Sequence, residues 1–285
     1  MGEQHFPAQE QADQPGDEHA MRPEPEYIRD SYRGTGKLDG KVAIITGGDS
    51  GIGRAVAVHF AREGANCVVV YLNETRDAED TQALVEAEGR ECVLVHGDVG
   101  DPMLCHHVVD TTLASFGAIN ILVNNAAEQY DWADVTQIPD DQVQRTFQTN
   151  VFSHFYMMAK HALPHMHEGD TIIATSSVNA FKGNDTLIDY TATKGAIQGL
   201  VRSLAMSLVD RDIRVNAVAP GPVWTPLIPA SFDEEKVAGF GGQVPMDRAG
   251  QPSEMGPAYV YLASEESSYM NGQTLHLNGG VILNT

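Results

Sequence analysis

Tyr190 and Lys194 stand four residues apart in the run Tyr190-Thr191-Ala192-Thr193-Lys194. On a helix that spacing projects both side chains from one face. A free phenol titrates near about 10 and is a poor base at neutral pH. A neighbouring ammonium favours the phenolate and brings its proton toward the range of acid–base exchange. Ser177, just past the apolar run Thr171–Thr175, offers a hydroxyl to the same substrate oxygen. A lone Tyr-x-x-x-Lys is more often a surface pair on an amphipathic helix, so the chemistry needs a second constellation to stand.

That second constellation is Thr46-Gly47-Gly48-Asp49-Ser50-Gly51-Ile52-Gly53. It follows an apolar run and leads into an amphipathic one, reading as strand, glycine-rich turn and helix start. Glycines let backbone approach a pyrophosphate, and the free N–H groups and dipole of a helix N-terminus attract its charge. Further candidates follow later runs, where open α/β sheets bind ligands: Asp98-Val99, and Asn124-Asn125-Ala126-Ala127. Turn chemistry alone also favours Asn and Asp at such places. Their repetition along one sheet edge gives the binding reading its weight.

The elements that must position these groups alternate along the chain. Apolar runs at Val42–Thr46, Cys67–Tyr71, Cys92–His96, Ile119–Val123, Thr171–Thr175, Ile213–Val218 and Leu275–Leu277 read as strands covered on both faces. Between them lie helical stretches such as Gly53–Glu63, Asp77–Glu88, Met103–Phe116, Asp141–His167 and Tyr190–Asp210. Strand–helix alternation predicts βαβ units with right-handed crossovers. The expected fold is one doubly wound, Rossmann-type α/β domain over residues 38–285, with a seven-stranded parallel sheet flanked by helices. Residues 1–37 are rich in Gln, Glu, Asp and Pro and lack apolar periodicity. They read as an arm that is disordered or draped on a neighbouring subunit, with Met21, Tyr27 and Tyr32 as anchors. The Gly- and Pro-bearing stretch from Val223 to Gln243 reads as a mobile lid over the substrate.

Composition narrows the partners. The net charge is −21, from 39 acidic and 18 basic residues, a field that disfavours nucleic acid and anionic membrane surfaces. No apolar run approaches the roughly 20 residues needed to span a bilayer. The N-terminus has neither the basic nor the apolar part of a secretory signal, which makes the cytoplasm the expected location. Cys67, Cys92 and Cys105 form no Cys-x-x-Cys pair and read as reduced, buried thiols. His161, His165, His167 and Glu168 suggest metal ligands only superficially. Pro164 interrupts their spacing, and histidines suit a helix C-terminus, so no metal is expected.

Taken together, the glycine-rich turn, Asn-Asn-Ala-Ala, Asn150, Ser177, Tyr190/Lys194 and Pro220-Gly221 resemble the short-chain dehydrogenase/reductase family from about Lys41 onward. The resemblance implies an NAD(P)-dependent oxidoreductase that interconverts a carbonyl and an alcohol on a small molecule such as an aldehyde, ketone, sugar or polyol. It implies Tyr190 as general acid/base, Lys194 on the nicotinamide ribose, Ser177 orienting the carbonyl and Asn150 holding a relay water. Cofactor contacts are implied at Gly47, Asp49, Ser50, Gly51, Ile52 and Gly53 and, at the adenosine end, at Tyr71, Leu72, Asn73, Glu74, Asp98 and Val99. Asn124 and Ala126 would brace the floor, and Pro220, Gly221, Val223 and Thr225 would flank the nicotinamide. Ala127 departs from the glycine usual after Asn-Asn-Ala. The polar arm and the segment beginning Gln243-Val244-Pro245 are similar to the subgroup of glucose and ribitol dehydrogenase homologues. A homotetramer built on the helices carrying Asn150 and Tyr190 is implied as well. Ser50 before Gly51 and Glu74, twenty-one residues after Gly53, favour NAD over NADP, with Arg76 as the opposing signal. The alternative is a catalytically silent, cofactor-sensing or scaffold protein on the same fold.

Overall fold

The computed structural model describes residues 6–283. In chain order the regular elements are β1 (Val42–Thr46), α1 (Gly51–Arg62), β2 (Asn66–Tyr71), α2 (Thr75–Ala87), β3 (Cys92–His96), α3 (Pro102–Phe116), β4 (Ile121–Asn124) and α4 (Asp140–Phe147). They continue with α5 (Ser153–Met157), β5 (Thr171–Thr175), α6 (Asn179–Lys182), α7 (Ile188–Leu208), β6 (Arg214–Pro220), α8 (Glu234–Ala238), α9 (Pro252–Ala263) and β7 (Thr274–Leu277). All seven strands are parallel, in the order β3-β2-β1-β4-β5-β6-β7. The doubly wound sheet expected from the sequence is therefore present. Its direction of winding reverses at β1, between β2 and β4, which opens a crevice at the carboxyl edge.

Period-two alternation sorts each strand between two cores. Ile44, Val68, Leu122, Ile172 and Val215 pack on one face with Val108 of α3 and Ile197 and Val201 of α7. Ala43, Ile45, Val69, Val123 and Ile173 pack on the other with Phe60 of α1, Val85 of α2 and Tyr259 of α9. Cys67, Cys92 and Cys105 are free thiols buried in these layers.

Three expectations change. First, the long helix over 141–167 is broken into α4 and α5, with wide π turns at Gln148–Phe152 and Met158–Ala162 and a final 3₁₀ turn at Leu163–His165. Second, α9 was hidden in the sequence by Gly256 and Pro257 inside it. Gly256 is required because a Cβ there would lie 2.3 Å from His59 Nδ1 of α1.

Third, of the arm read over residues 1–37, residues 1–5 lie outside the described residues and residues 6–37 pack on the domain of their own chain. Phe6 stacks on Trp224 at 3.7 Å, and Met21 has no exposed surface. The Tyr32 hydroxyl donates to Glu63 at 2.5 Å. Glu18 reaches the start of α1, where its carboxylate accepts from Gly51 N–H at 2.5 Å and pairs with Arg54 at 2.6 Å. Polar composition concealed this packing because its anchors are hydrogen bonds and ion pairs to distant backbone rather than an apolar stripe.

Candidate active site

A cleft of about 530 Å³ runs along the carboxyl ends of β1, β2, β4, β5 and β6. Its floor is the turn after β1. Gly47 takes φ +61° and would press a Cβ to 3.0 Å from Ala126 Cα, while a Cβ on Gly53 would fall 1.8 Å from Gly47 O. Side chains at these two positions would fill the cradle or push the turn open. Ser50 precedes α1 in extended geometry without capping it through its side chain. The shape suits the pyrophosphate of a dinucleotide, as a helix N-terminus behind a bare backbone turn does generally.

Asn125 braces this floor. Its Nδ2 donates to Thr46 O and Gly47 O, and its Oδ1 accepts from Thr175 Oγ1 at 3.0 Å, so it ties β1 to β5. Sequence reasoning had given that task to Asn124, whose buried Nδ2 has no partner.

Of the expected residues, Gly47, Asp49, Ser50, Gly51, Ile52, Tyr71, Leu72, Asp98, Val99, Ala126, Ser177, Tyr190, Lys194, Pro220, Gly221, Val223 and Thr225 line the cleft. Gly53, Asn73, Glu74, Asn124 and Asn150 are set off its wall. Arg76, the candidate phosphate ligand, is exposed and also off the wall. The lid stretch folds into turns and the short α8, anchored by Trp224, which is fully buried.

Tyr190 and Lys194 meet as their spacing predicts. Lys194 Nζ lies 5.3 Å from the Tyr190 ring centroid and donates to Thr175 O at 2.8 Å. Ser177 lies beside Tyr190 on the same wall, and its hydroxyl favours the phenolate. Burial pushes the phenol up to about 12, opposed in part by the Ser177 hydroxyl, and pushes the lysine down to about 7. The expected depression of the tyrosine is thus absent from the protein alone, because desolvation disfavours the charged form of both groups and outweighs their attraction.

Asn150 is fully buried in the π turn. Its Oδ1 accepts from Glu128 N at 2.8 Å, and its Nδ2 donates to Glu128 O at 2.9 Å and Thr193 Oγ1 at 3.1 Å. Glu128, which no motif had singled out, is also bound by Arg145, Tyr130 and Thr149. Arg145 further pairs with Asp98, so one guanidinium connects the edge past β3 to the loop held by Asn150. Asp189, beside Tyr190, was missed too. Its carboxylate accepts from Thr146 Oγ1 at 2.7 Å, Gln142 Nε2 at 3.1 Å and Tyr190 N at 2.8 Å, joining α4 to α7.

The adenosine end is acidic. Asp49 is 3% exposed with Oδ2 unpartnered, and burial holds its carboxyl up at about 6. Burial and the nearby Asp49 charge raise Glu74, the residue preceding α2, to about 7. Among the described residues, the group spaced for a metal ion is Asp17, His19 and Asp77, outside the histidines considered above. Asp77 already accepts from Glu18 N and His19 N.

A parallel sheet with this turn at its switch point and a Ser–Tyr–Lys set across the cleft define a dinucleotide-dependent oxidoreductase class. The chain matches the family described as enoyl-(acyl carrier protein) reductase over residues 47–282, and it belongs to the short-chain dehydrogenase/reductase family. A rice protein named glucose and ribitol dehydrogenase homolog is 54% identical over 100% of both chains. An Arabidopsis thaliana protein named NADPH-dependent aldehyde reductase 1, chloroplastic, is 50% identical over 97% of this chain and 98% of its own. A Burkholderia cenocepacia short-chain dehydrogenase in complex with NADP superposes with a TM-score of 0.80 at 29% identity, covering 86% of this chain and 98% of that one. No helix among the described residues is long and apolar enough to cross a membrane.

Proposed function

We propose that this protein interconverts a carbonyl and an alcohol on a small aldehyde, ketone, sugar or polyol, with Tyr190 as the proton-transfer group. The observation that carries the reading is Tyr190 on the cleft wall with the buried Lys194 Nζ 5.3 Å from its ring centroid and Ser177 on the same wall. A nicotinamide dinucleotide bound over Gly51 and Ile52 would supply or take up the hydride. In the reducing direction Tyr190 gives its phenolic proton to the substrate oxygen as the carbonyl carbon is reduced. Ser177 orients that oxygen. A protonated phenol suits this direction, and its high pKa keeps the proton in place until a developing alkoxide draws it off. Lys194, tied to Thr175 O, holds position beneath the ring, and the Asn150 side chain fixes the Glu128 loop behind it.

We read NAD as the preferred dinucleotide. Support comes from the buried Asp49 carboxyl on the cleft wall and from the exposed, off-wall position of Arg76; a 2′-phosphate would meet acid where it needs base. NADP and NADPH belong to the two compared proteins whose names carry them. A homotetramer is supported by apolar side chains exposed on the two candidate helices: Phe152 and Phe155 beside Asn150, and Met206 on α7. The cytoplasm is the location proposed for it.

The test is turnover of a panel of aldehydes, ketones, sugars and polyols with NADH and NADPH, and of the alcohols with the oxidised forms. Turnover that disappears in Tyr190→Phe supports the reading. Dinucleotide binding with no turnover of any panel member would favour the silent, cofactor-sensing alternative.

A further inference from the structure

The segment Gln11–Glu18 reaches the cleft at Pro15 and is held at both sides. At one end Glu18, 3% exposed, accepts from Gly51 N–H and pairs with Arg54, while Asp77 accepts from the backbone N–H of Glu18 at 2.7 Å. Glu18 is not itself on the cleft wall, so it grips the glycine-rich turn from outside and leaves the cleft face of that turn open. At the other end Gln14 Nε2 donates to Gln129 O, and Gln129 N donates back to Gln14 Oε1 at 3.0 Å. Gln11 N donates to Pro229 O at 2.7 Å. Between these ties Gly16 is buried so closely that a Cβ would lie 2.8 Å from Pro226 O and 2.9 Å from Ala230 Cβ.

The result is a bridge between the start of α1 and the segment 226–230. Pro15 is the residue of this bridge that faces the cleft, whereas Ala12, Asp13 and Gln14 face a second cavity of about 520 Å³ on its other side. Leu72, Glu128 and Arg145 border both spaces. Pro15 thus brings the bridge to the same cleft wall that Gly51 lines.

We propose that Gln11–Glu18 is a fixed wall of the dinucleotide site, with Pro15 as the residue that meets the bound dinucleotide and Glu18 as the positioning residue that sets the wall against Gly51. The proposal rests on the oxidoreductase reading above. The wall acts on the affinity and release of dinucleotide and leaves the proton-transfer groups alone, since none of its ties reaches Ser177, Tyr190 or Lys194.

The test is made on the full-length chain with NADH and NADPH, following fluorescence for affinity and stopped-flow displacement for release. Pro15→Trp enlarges the wall into the cleft and weakens dinucleotide binding about tenfold or more without lowering Tm. Glu18→Ala frees the wall and speeds release by about tenfold, whereas Glu18→Gln, whose amide oxygen still accepts from Gly51 N–H, stays within about threefold of wild type. Wild-type affinity in Pro15→Trp overturns the proposal, and that variant decides the matter if Glu18→Ala fails to fold. A wild-type chain that binds neither dinucleotide sinks the oxidoreductase reading and the wall with it; binding that is insensitive to Pro15→Trp sinks the wall alone.

Discussion

Lys194 Nζ lies beneath the Tyr190 ring at 5.3 Å from its centroid, yet its hydrogen bond runs away from the phenol to Thr175 O. The lysine is thus anchored to the end of β5, and the two side chains are neighbours through space rather than bonded partners. Two consequences for catalysis can be separated by mutation.

Tyr190→Phe removes the proposed proton donor while leaving the cleft's shape intact. Turnover should fall by about 10² or more, the lower end for a lost acid–base group, with dinucleotide affinity close to wild type. Lys194→Ala should reduce both turnover and affinity. Full turnover in Tyr190→Phe would remove the assignment.

On the proposed preference for NAD, the acidic adenosine end predicts a pH-dependent dinucleotide choice. Asp49 and Glu74 titrate near about 6 and 7 in the folded chain, against ordinary values of 3.8 and 4.5. Both are charged at pH 8, where they oppose a 2′-phosphate, and increasingly neutral at pH 5.5. The preference for NAD over NADP should therefore narrow as pH falls and be smaller throughout in Glu74→Gln. A preference that is constant with pH in calorimetric titrations counts against both carboxyls.

The same shifts predict a stability trend. The folded chain holds protons on Asp49 and Glu74 that the unfolded chain has released, so their contribution is complete below their ordinary values. It is lost as pH rises through about 6 to 7. Lys194 acts in the opposite sense at higher pH, because its ammonium is lowered from 10.5 to about 7 and folding gains as pH climbs between those values. Denaturant unfolding of wild type and Glu74→Gln between pH 5 and 8 should show a shallower decline in the variant.

Asp189 makes a structural prediction with a catalytic readout. Replacing it by Ala leaves Thr146, Gln142 and Tyr190 N–H without their acceptor, costing about 1–3 kcal/mol of stability. Because it joins α4 to the residue that carries Tyr190, kcat should fall while dinucleotide affinity holds. Lost stability with unchanged kcat would reduce Asp189 to a packing role.

Gly256→Ala addresses the contact of α9 with α1. The added methyl would meet the His59 ring, itself held by Ala55 O at 2.6 Å. Overpacking of this kind costs about 1–3 kcal/mol, read as a lower denaturant midpoint. An unaltered midpoint would mean that the two helices can part without loss.

What was legible in the sequence follows from the range of the interactions. The strands could be read because burial on both faces makes them continuous in Val and Ile, and the turn after β1 because backbone proximity demands glycine. Tyr190 and Lys194 were legible through helical spacing taken together with the glycine-rich turn. Glu18, Glu128, Arg145 and Asp189 were not, because each acts through partners distant in sequence, and a carboxylate bonded to backbone leaves no periodic trace. Asn124 and Asn125 show the limit sharply: adjacent and identical in type, they differ in whether the side chain finds Thr46 and Thr175. The π turn at Asn150 lay inside a pattern that looks uniformly helical.

The parallel sheet carries a consequence for the order in which the molecule assembles. With no hairpin among the described residues, every strand pairing of the sheet waits on the closure of a long loop. Val42 meets Asn66 across a crossover of 24 residues, whereas Ala43 meets Ile121 only after 78. A chain that has closed the first of these can form β1 and α1 while the floor beneath Gly47 is still missing, since Asn125 and Ala126 arrive with β4. Dinucleotide should therefore be a late ligand, rescuing nearly complete molecules and ignoring early ones.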